Sequence, residues 1–304
     1  MQVYLPIAEV SVDAFLLLGL GAFVGFLGGL FGVGGGFLMT PALILVGIPP
    51  AVAVASGANQ IVASSISGAI SQWRKGNVDG RMGIVLLVAG MAGTVLGVIL
   101  FRYLQRAGQI DIVIQLSYVI LLGAVGAMMT IEAVRTVLRR RSATRSPGKL
   151  HQHFWVHRWP LRMRFRRSKL YISAIPPAAI GLVVGVLTAI MGIGGGFIMV
   201  PAMIYFFGMP TLTVVGTSQF QIVFVTAATT LLLAATTHTV DVVLAILLIV
   251  GGVIGAQIGT RASQLMRGEY LRGLLALMVL AMAVRLAYDL FAAPADLFSI
   301  AGGR

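Results

Sequence analysis

The sequence contains no cysteine, and only 10% of its 304 residues are charged. Without cysteine there is no disulfide, no thiolate metal ligand and no sulfur nucleophile, and nothing to report a redox compartment. Soluble domains carry about 25% charged residues, so a soluble globular fold is excluded too. Acids are scarcest. The nine carboxylates sit almost all at the ends of apolar stretches, and none is placed as a mid-membrane proton relay of the kind pumps use. Glu132, the most internal, lies one turn from Arg135 and reads as an interfacial ion pair. There are four histidines. The spacing of His151, His153 and His157 would suit a metal, but solvated or lipid-facing histidines among many cations are the simpler account, so no metal or cofactor is assigned. A membrane-embedded enzyme needs a nucleophile, base or metal cluster at depth, and the chain is read as a non-enzyme.

What remains is apolar: 58% of the residues are hydrophobic. Apolar stretches fall at about 12–31, 36–48, 52–73, 82–101, 110–138, 170–191, 196–207, 211–236, 240–260 and 271–291. This is the pattern of an all-α polytopic membrane protein. The first stretch has no basic flank and no small-residue cleavage site ahead of it, so it is read as a retained segment rather than a signal peptide.

The net charge of +13 would suit nucleic acid, but its distribution argues otherwise. Twelve of the 22 basic residues lie between Arg135 and Lys169. Such a cluster between spans reads as a cytoplasmic topology signal and a contact for acidic lipids. The chain thus divides into a first transmembrane repeat, 1–138, a basic cytoplasmic linker, 139–169, and a second transmembrane repeat, 170–304.

The repeat is written in the residues. GVGGGFLMTPAL at 32–43 returns as GIGGGFIMVPAM at 192–203. The stretches that follow the glycines, 36–48 and 196–207, are too short to cross a hydrocarbon core of about 30 Å at 1.5 Å per residue. Each carries a proline, Pro41 or Pro201, expected near the first turn, where a missing N–H costs little. They are read as half-helices that begin at mid-depth. If each half is a glycine-broken re-entrant hairpin plus three full spans, the loops 74–81, 135–169 and 261–272 share one face. That face then holds 18 of the 22 basic residues, as the positive-inside rule prefers. With three crossings per half, the two repeats are inverted relative to each other.

Gly34, Gly35 and Gly36, with Gly194, Gly195 and Gly196, let the backbone leave helical geometry and let another group approach closely. The helices that follow present free N–H groups and the positive end of a dipole. Two such ends meeting near the midplane make an anion site without any lysine or arginine. Tight helix packing is the alternative reading of glycines. Beyond the half-helices come polar residues, Ser56, Asn59 and Gln60 in the first half and Thr217, Ser218, Gln219 and Gln221 in the second. Aligning QIV at 60–62 on QIV at 221–223 pairs Gln60 with Gln221 and Ser56 with Thr217. Such polar groups are costly in hydrocarbon unless partnered. They either bind a ligand's oxygens or bridge helices, and both readings stand. Ser64, Ser65, Ser67, Thr226, Thr229 and Thr230 lie deeper and are read as interhelical glue. Asp79 and Asp241 close matching Val-Asp pairs where a helix N-cap is expected.

These residues resemble the sulfite exporter TauE/SafE family of membrane permeases, also called the toluene-sulfonate uptake permease family. GVGGGFLMTPAL, GIGGGFIMVPAM, the GTS at 216–218 and the GNVD at 76–79 carry the resemblance, which spans the whole chain. The first half departs from it, with Ala55-Ser56-Gly57 where the second has Gly216-Thr217-Ser218. The resemblance implies a carrier of sulfite, sulfonates or organosulfur acids in a bacterial plasma membrane.

An anion leaving a cell that is negative inside gains about 2.3 kcal/mol per charge per 100 mV. Export then needs no coupling ion, whereas uptake of a sulfonate would need protons or sodium. Export is therefore the preferred reading; a channel on the same fold is a further alternative. The expected partners are a small anion and the lipid bilayer, with oligomeric state open. The substrate contacts expected are Gly34, Gly35, Gly36, Asn59, Gln60, Gly194, Gly195, Gly196, Thr217, Ser218 and Gln221.

Overall fold

The computed structural model describes residues 2–31, 34–141, 162–165, 167–168, 170–262 and 268–291. Its elements come in two matching series. A hairpin of β1 (Gln2–Leu5) and β2 (Val10–Asp13) leads into α1 (Ala14–Phe31), α2 (Gly36–Leu45), α3 (Pro50–Arg74), α4 (Gly80–Arg106) and α5 (Ile110–Arg141). A second hairpin, β3 (Arg162–Phe165) and β4 (Leu170–Ser173), leads into α6 (Ile175–Met191), α7 (Gly196–Phe207), α8 (Thr211–Thr237), α9 (Val242–Ala262) and α10 (Gly268–Phe291). Both hairpins are antiparallel, with Leu5 opposite Val10 and Phe165 opposite Leu170. Residues 162–165, which the sequence places in the basic linker, thus form a strand. The three histidines of that linker lie outside the described residues, as do the side chains of Glu132 and Arg135.

Among the described residues, Ala14–Phe31, Gly80–Arg106, Ile110–Met128, Leu212–Thr237 and Val242–Ala262 are long and apolar enough to cross a membrane. Their outer faces fit that medium. Ile246, Val250, Ile254 and Ile258 make one exposed stripe along α9, spaced by four residues as a helix face requires.

The opposite face of α9 is glycine. Gly251, Gly255 and Gly259 press on the backbone of Leu18, Ala22 and Phe26 in α1, while Gly21, Gly25 and Gly29 press on Leu248, Gly252 and Ala256. The numbers rise together, so α1 and α9 run parallel. The mirror pair is α4 with α6, where Gly90, Gly93 and Gly97 meet Gly181, Leu182 and Val186. Small residues let membrane helices approach to backbone contact, where packing and weak hydrogen bonds replace the missing hydrophobic drive.

The two long pairings therefore join one half to the other rather than each half to itself. At the centre α3 crosses α8 in the antiparallel sense. Gly68 lies against Gln219, whereas Ser56 lies at the far end beside Asp241, just beyond the end of α8. α2 runs back along α3, with Gly36 level with Ile61, and Met39 and Leu43 against Gly57.

A β-carbon at Gly255 would overlap the Ala22 carbonyl, so Gly255→Val is expected to cost roughly 3 kcal/mol or more through overpacking against rigid backbone. Gly19 has nothing within 4 Å of that position, and Gly19→Ala should be neutral or slightly stabilising. Thermal unfolding of the two variants in detergent checks this: equal melting temperatures would mean that α1 and α9 do not pack by their glycine faces.

Candidate functional site

Each half-helix starts from two successive left-handed residues. Gly34 and Gly35 have φ of 90° and 71°, and Gly194 and Gly195 have 73° and 76°. Residues with a β-carbon avoid that region, so glycine is required at these four positions. Gly35 and Gly195 are the N-caps, and neither supplies a side-chain cap. Their carbonyls accept from Leu38 and Met39, and from Ile198 and Met199. The N–H groups of Gly36, Phe37, Gly196 and Phe197 have no intrahelical acceptor, as at any helix start.

The prolines depart from expectation. Pro41 and Pro201 lie inside the helices rather than in the first turn, which removes the N–H that would bond to the Phe37 and Phe197 carbonyls. The half-helices are thus weakly bonded at their inner ends.

The two breaks meet. Gly36 packs on the Ile193 carbonyl and the tip of Ile61, and the Phe37 and Phe197 rings stack at 4.5 Å with 14° between their planes. Ile61 of α3 and Ile222 of α8 both reach Gly34 and Gly194, so each lies against both breaks. Each is eleven residues into its helix, which sets the crossing near mid-length of both. Among the described buried residues the only charged ones are Asp79 and Asp241.

The expected contact residues divide. The glycines come together at this crossing. Gln60 and Gln221 are one residue from Ile61 and Ile222, fully buried, and neither amide has a hydrogen-bond partner among the described residues. Gln60 lies on Gly252, and Gln221 lies on Gly90. The others face elsewhere. Asn59 donates to the Ala55 and Ser56 carbonyls, and Ser218 donates to the Val215 carbonyl.

Thr217 accepts a hydrogen bond from the Asp79 N–H at 3.1 Å, and its counterpart Ser56 accepts from the Asp241 N–H at 2.9 Å. Both carboxylates cap their helices as expected: Asp79 accepts from Met82 N–H, and Asp241 from Leu244 N–H. Each carboxylate has a second task. The Asp79 carboxylate also accepts from Ser168 at the tip of the second hairpin, and Asp241 accepts from Ile7 N–H at the tip of the first. Every bond between hairpin, cap and hydroxyl crosses between the halves. Because α3 and α8 are antiparallel, the two latches sit at opposite ends of the bundle.

Ser65 and Thr226, expected from the sequence to be interhelical glue, make no interhelical hydrogen bond among the described residues. Their buried hydroxyls have no hydrogen-bond partner among the described residues, and they lie 3.4 and 3.5 Å from where a β-carbon would stand on Gly34 and Gly194. The register that aligns Gln60 with Gln221 also aligns Ser65 with Thr226, and that was the signal available.

The sequence profile of the family described as Sulfite exporter TauE/SafE matches residues 17–286. A probable membrane transporter protein of Xylella fastidiosa (strain 9a5c) is 30% identical over 80% of this chain and 82% of its own length. The probable membrane transporter protein YjnA of Bacillus subtilis (strain 168) is 30% identical over 88% of this chain and 97% of its own. A second Bacillus subtilis protein, the probable membrane transporter protein YunE, is 23% identical over 90% of this chain. No solved structure matches the chain.

Removing a latch acceptor leaves a buried N–H unpaired, at a cost of about 1–3 kcal/mol. Ser56→Ala and Thr217→Val should each lower the melting temperature in detergent, and the double variant should lose the sum, since the latches share no partner. A melting temperature unchanged in all three would show that the cross-half bonds do not hold.

Proposed function

The chain belongs to the sulfite exporter TauE/SafE family, and on that premise we propose that it carries sulfite or a related sulfur-containing oxyanion out of the cell, by alternating access around the crossing of its two glycine breaks. The observation that carries this reading is the meeting of Gly36 with Ile193 and of Phe37 with Phe197. It directs two helix N-termini at one buried place where no basic side chain among the described residues is buried. A scaffold has no use for two matched breaks that meet, whereas a carrier uses unwound backbone at depth to bind its cargo.

Two structural features support an inverted pair of repeats. The equivalent helices α3 and α8 run antiparallel, and α2 and α7 occupy matching places beside them. α1 with α2, and α6 with α7, are the re-entrant hairpins of this arrangement. Arg74, Lys75, Arg81 and Arg261 then share one end of the bundle with the described residues Arg164 and Arg167, and we assign that end to the cytoplasm of a bacterium. Opening then alternates between the two latches, the Asp79 and Thr217 latch on the cytoplasmic side and the Asp241 and Ser56 latch on the other. Both carboxylates are occupied as helix caps, which suits transport driven by voltage without a coupling ion.

Flux of radiolabelled sulfite and small sulfonates in proteoliposomes, at a set membrane potential and equal pH, tests the proposal. The expected result is saturable flux that rises with voltage and is abolished in Gly35→Leu and Gly195→Leu. Flux that appears only with a proton or sodium gradient would replace export with coupled uptake, and no flux of any anion from folded protein would remove the carrier reading.

A further inference from the structure

We propose that Ser65 and Thr226 complete the site at the crossing of the breaks, and that this site accepts singly charged oxyanions and rejects doubly charged ones. The inference rests on the carrier reading above and goes on to the charge of the cargo.

Hydroxyls in membrane helices ordinarily return their proton to the backbone one turn earlier. Several here do: Ser64 donates to the Ile61 carbonyl, Thr188 to that of Val184, and Thr229 to that of Val225. Ser65 and Thr226 do not, although they are 1% and 0% exposed and have no partner among the described residues. Both stand instead beside the left-handed glycines that open the half-helices. A buried donor left unpaired is costly. The cost is offset if a ligand supplies the acceptor, and the pair occupies equivalent places in the two halves.

Charge then sets the ligand. Each helix N-terminus is equivalent to roughly half a positive charge, so two of them balance about one negative charge. No lysine or arginine is buried among the described residues, and both buried carboxylates lie away at the latches. A dianion would bring about one uncompensated charge into the bundle, and an unpaired charge in such surroundings is strongly unfavourable. Ile61 and Ile222 supply an apolar wall that an anion with a hydrocarbon substituent tolerates.

The test compares methanesulfonate with sulfate, which share tetrahedral geometry and differ in charge. Isotope counterflow in proteoliposomes of the full chain at zero membrane potential gives both the same electrical driving force. We expect kcat/KM for methanesulfonate to exceed that for sulfate by about 100-fold or more. Ser65→Ala and Thr226→Val should each raise the methanesulfonate KM about tenfold with kcat little changed. Ser65→Thr and Thr226→Ser should restore it, and Ser64→Ala should leave KM alone. Equal handling of sulfate and methanesulfonate overturns the inference while the carrier reading survives, as does an unchanged KM in the folded double variant. If neither anion moves and sulfite does not either, both readings fall. The wild-type charge ratio decides the matter even where a variant does not fold.

Discussion

Backbone that leaves a helix inside hydrocarbon has no water to turn to, so its polar groups need partners from the protein or from cargo. The rest of this structure depends on how that demand is met at Gly34–Gly36 and Gly194–Gly196. Both breaks lie against α3 and α8 at mid-length and touch each other, and the protein closes around them. The long α3 and α8 are the least replaceable elements for this reason: each forms a wall for its own half's break and, through Ile61 and Ile222, for the other's.

The need to enclose two breaks explains why the halves are interlocked rather than set side by side. α1 packs along α9 and α4 along α6, each through glycine faces with backbone contact. The hairpin of each half supplies donors to the helix cap of the other. Neither half has a completed interior alone. Sliding along a glycine face changes few side-chain contacts, because there are few side chains in it. An interface of that kind can hold two arrangements of similar energy, which alternating access requires.

The duplication was the part of this architecture that the sequence displayed, since it is local: the GxGGG runs, the half-helix lengths, the QIV pair and the caps at Asp79 and Asp241 each occupy a few adjacent residues. What escaped was tertiary. Ser56 and Thr217 are polar residues in apolar helices, and nothing nearby in sequence says that their partners are N–H groups at Asp241 and Asp79. The hairpins were hidden too: the strands Val10–Asp13 and Leu170–Ser173 overlap or adjoin apolar stretches that read as helix, and Arg162–Phe165 lies inside a basic run. Pro41 and Pro201 stand five residues past the helix starts at Gly36 and Gly196, in the second turn rather than the first, so a proline after a glycine run marked the half-helix but not its place within it. Ser65 and Thr226 look like their hydroxyl neighbours in sequence, and it is their place beside the breaks and their lack of a backbone acceptor that separate them from Ser64 and Thr229.

The two halves match closely but not fully, and the mismatches carry information that a perfect repeat would lack. A carrier with identical halves would have equal energies facing either side, apart from the membrane potential. Here Gly28, which packs on Gly35, corresponds to Thr188, whose hydroxyl bonds to Val184 and lies close to Gly195. Thr40 stands where the second half has Val200, and Thr94 where it has Ala256. Each difference gives one half a hydroxyl that the other half lacks. Differences worth about 1 kcal/mol apiece shift the balance between the two facing states by several-fold, because 1.4 kcal/mol is a factor of ten. Under the alternating-access proposal, near-symmetry would keep both states reachable, and differences between the halves would set which of them the empty protein prefers.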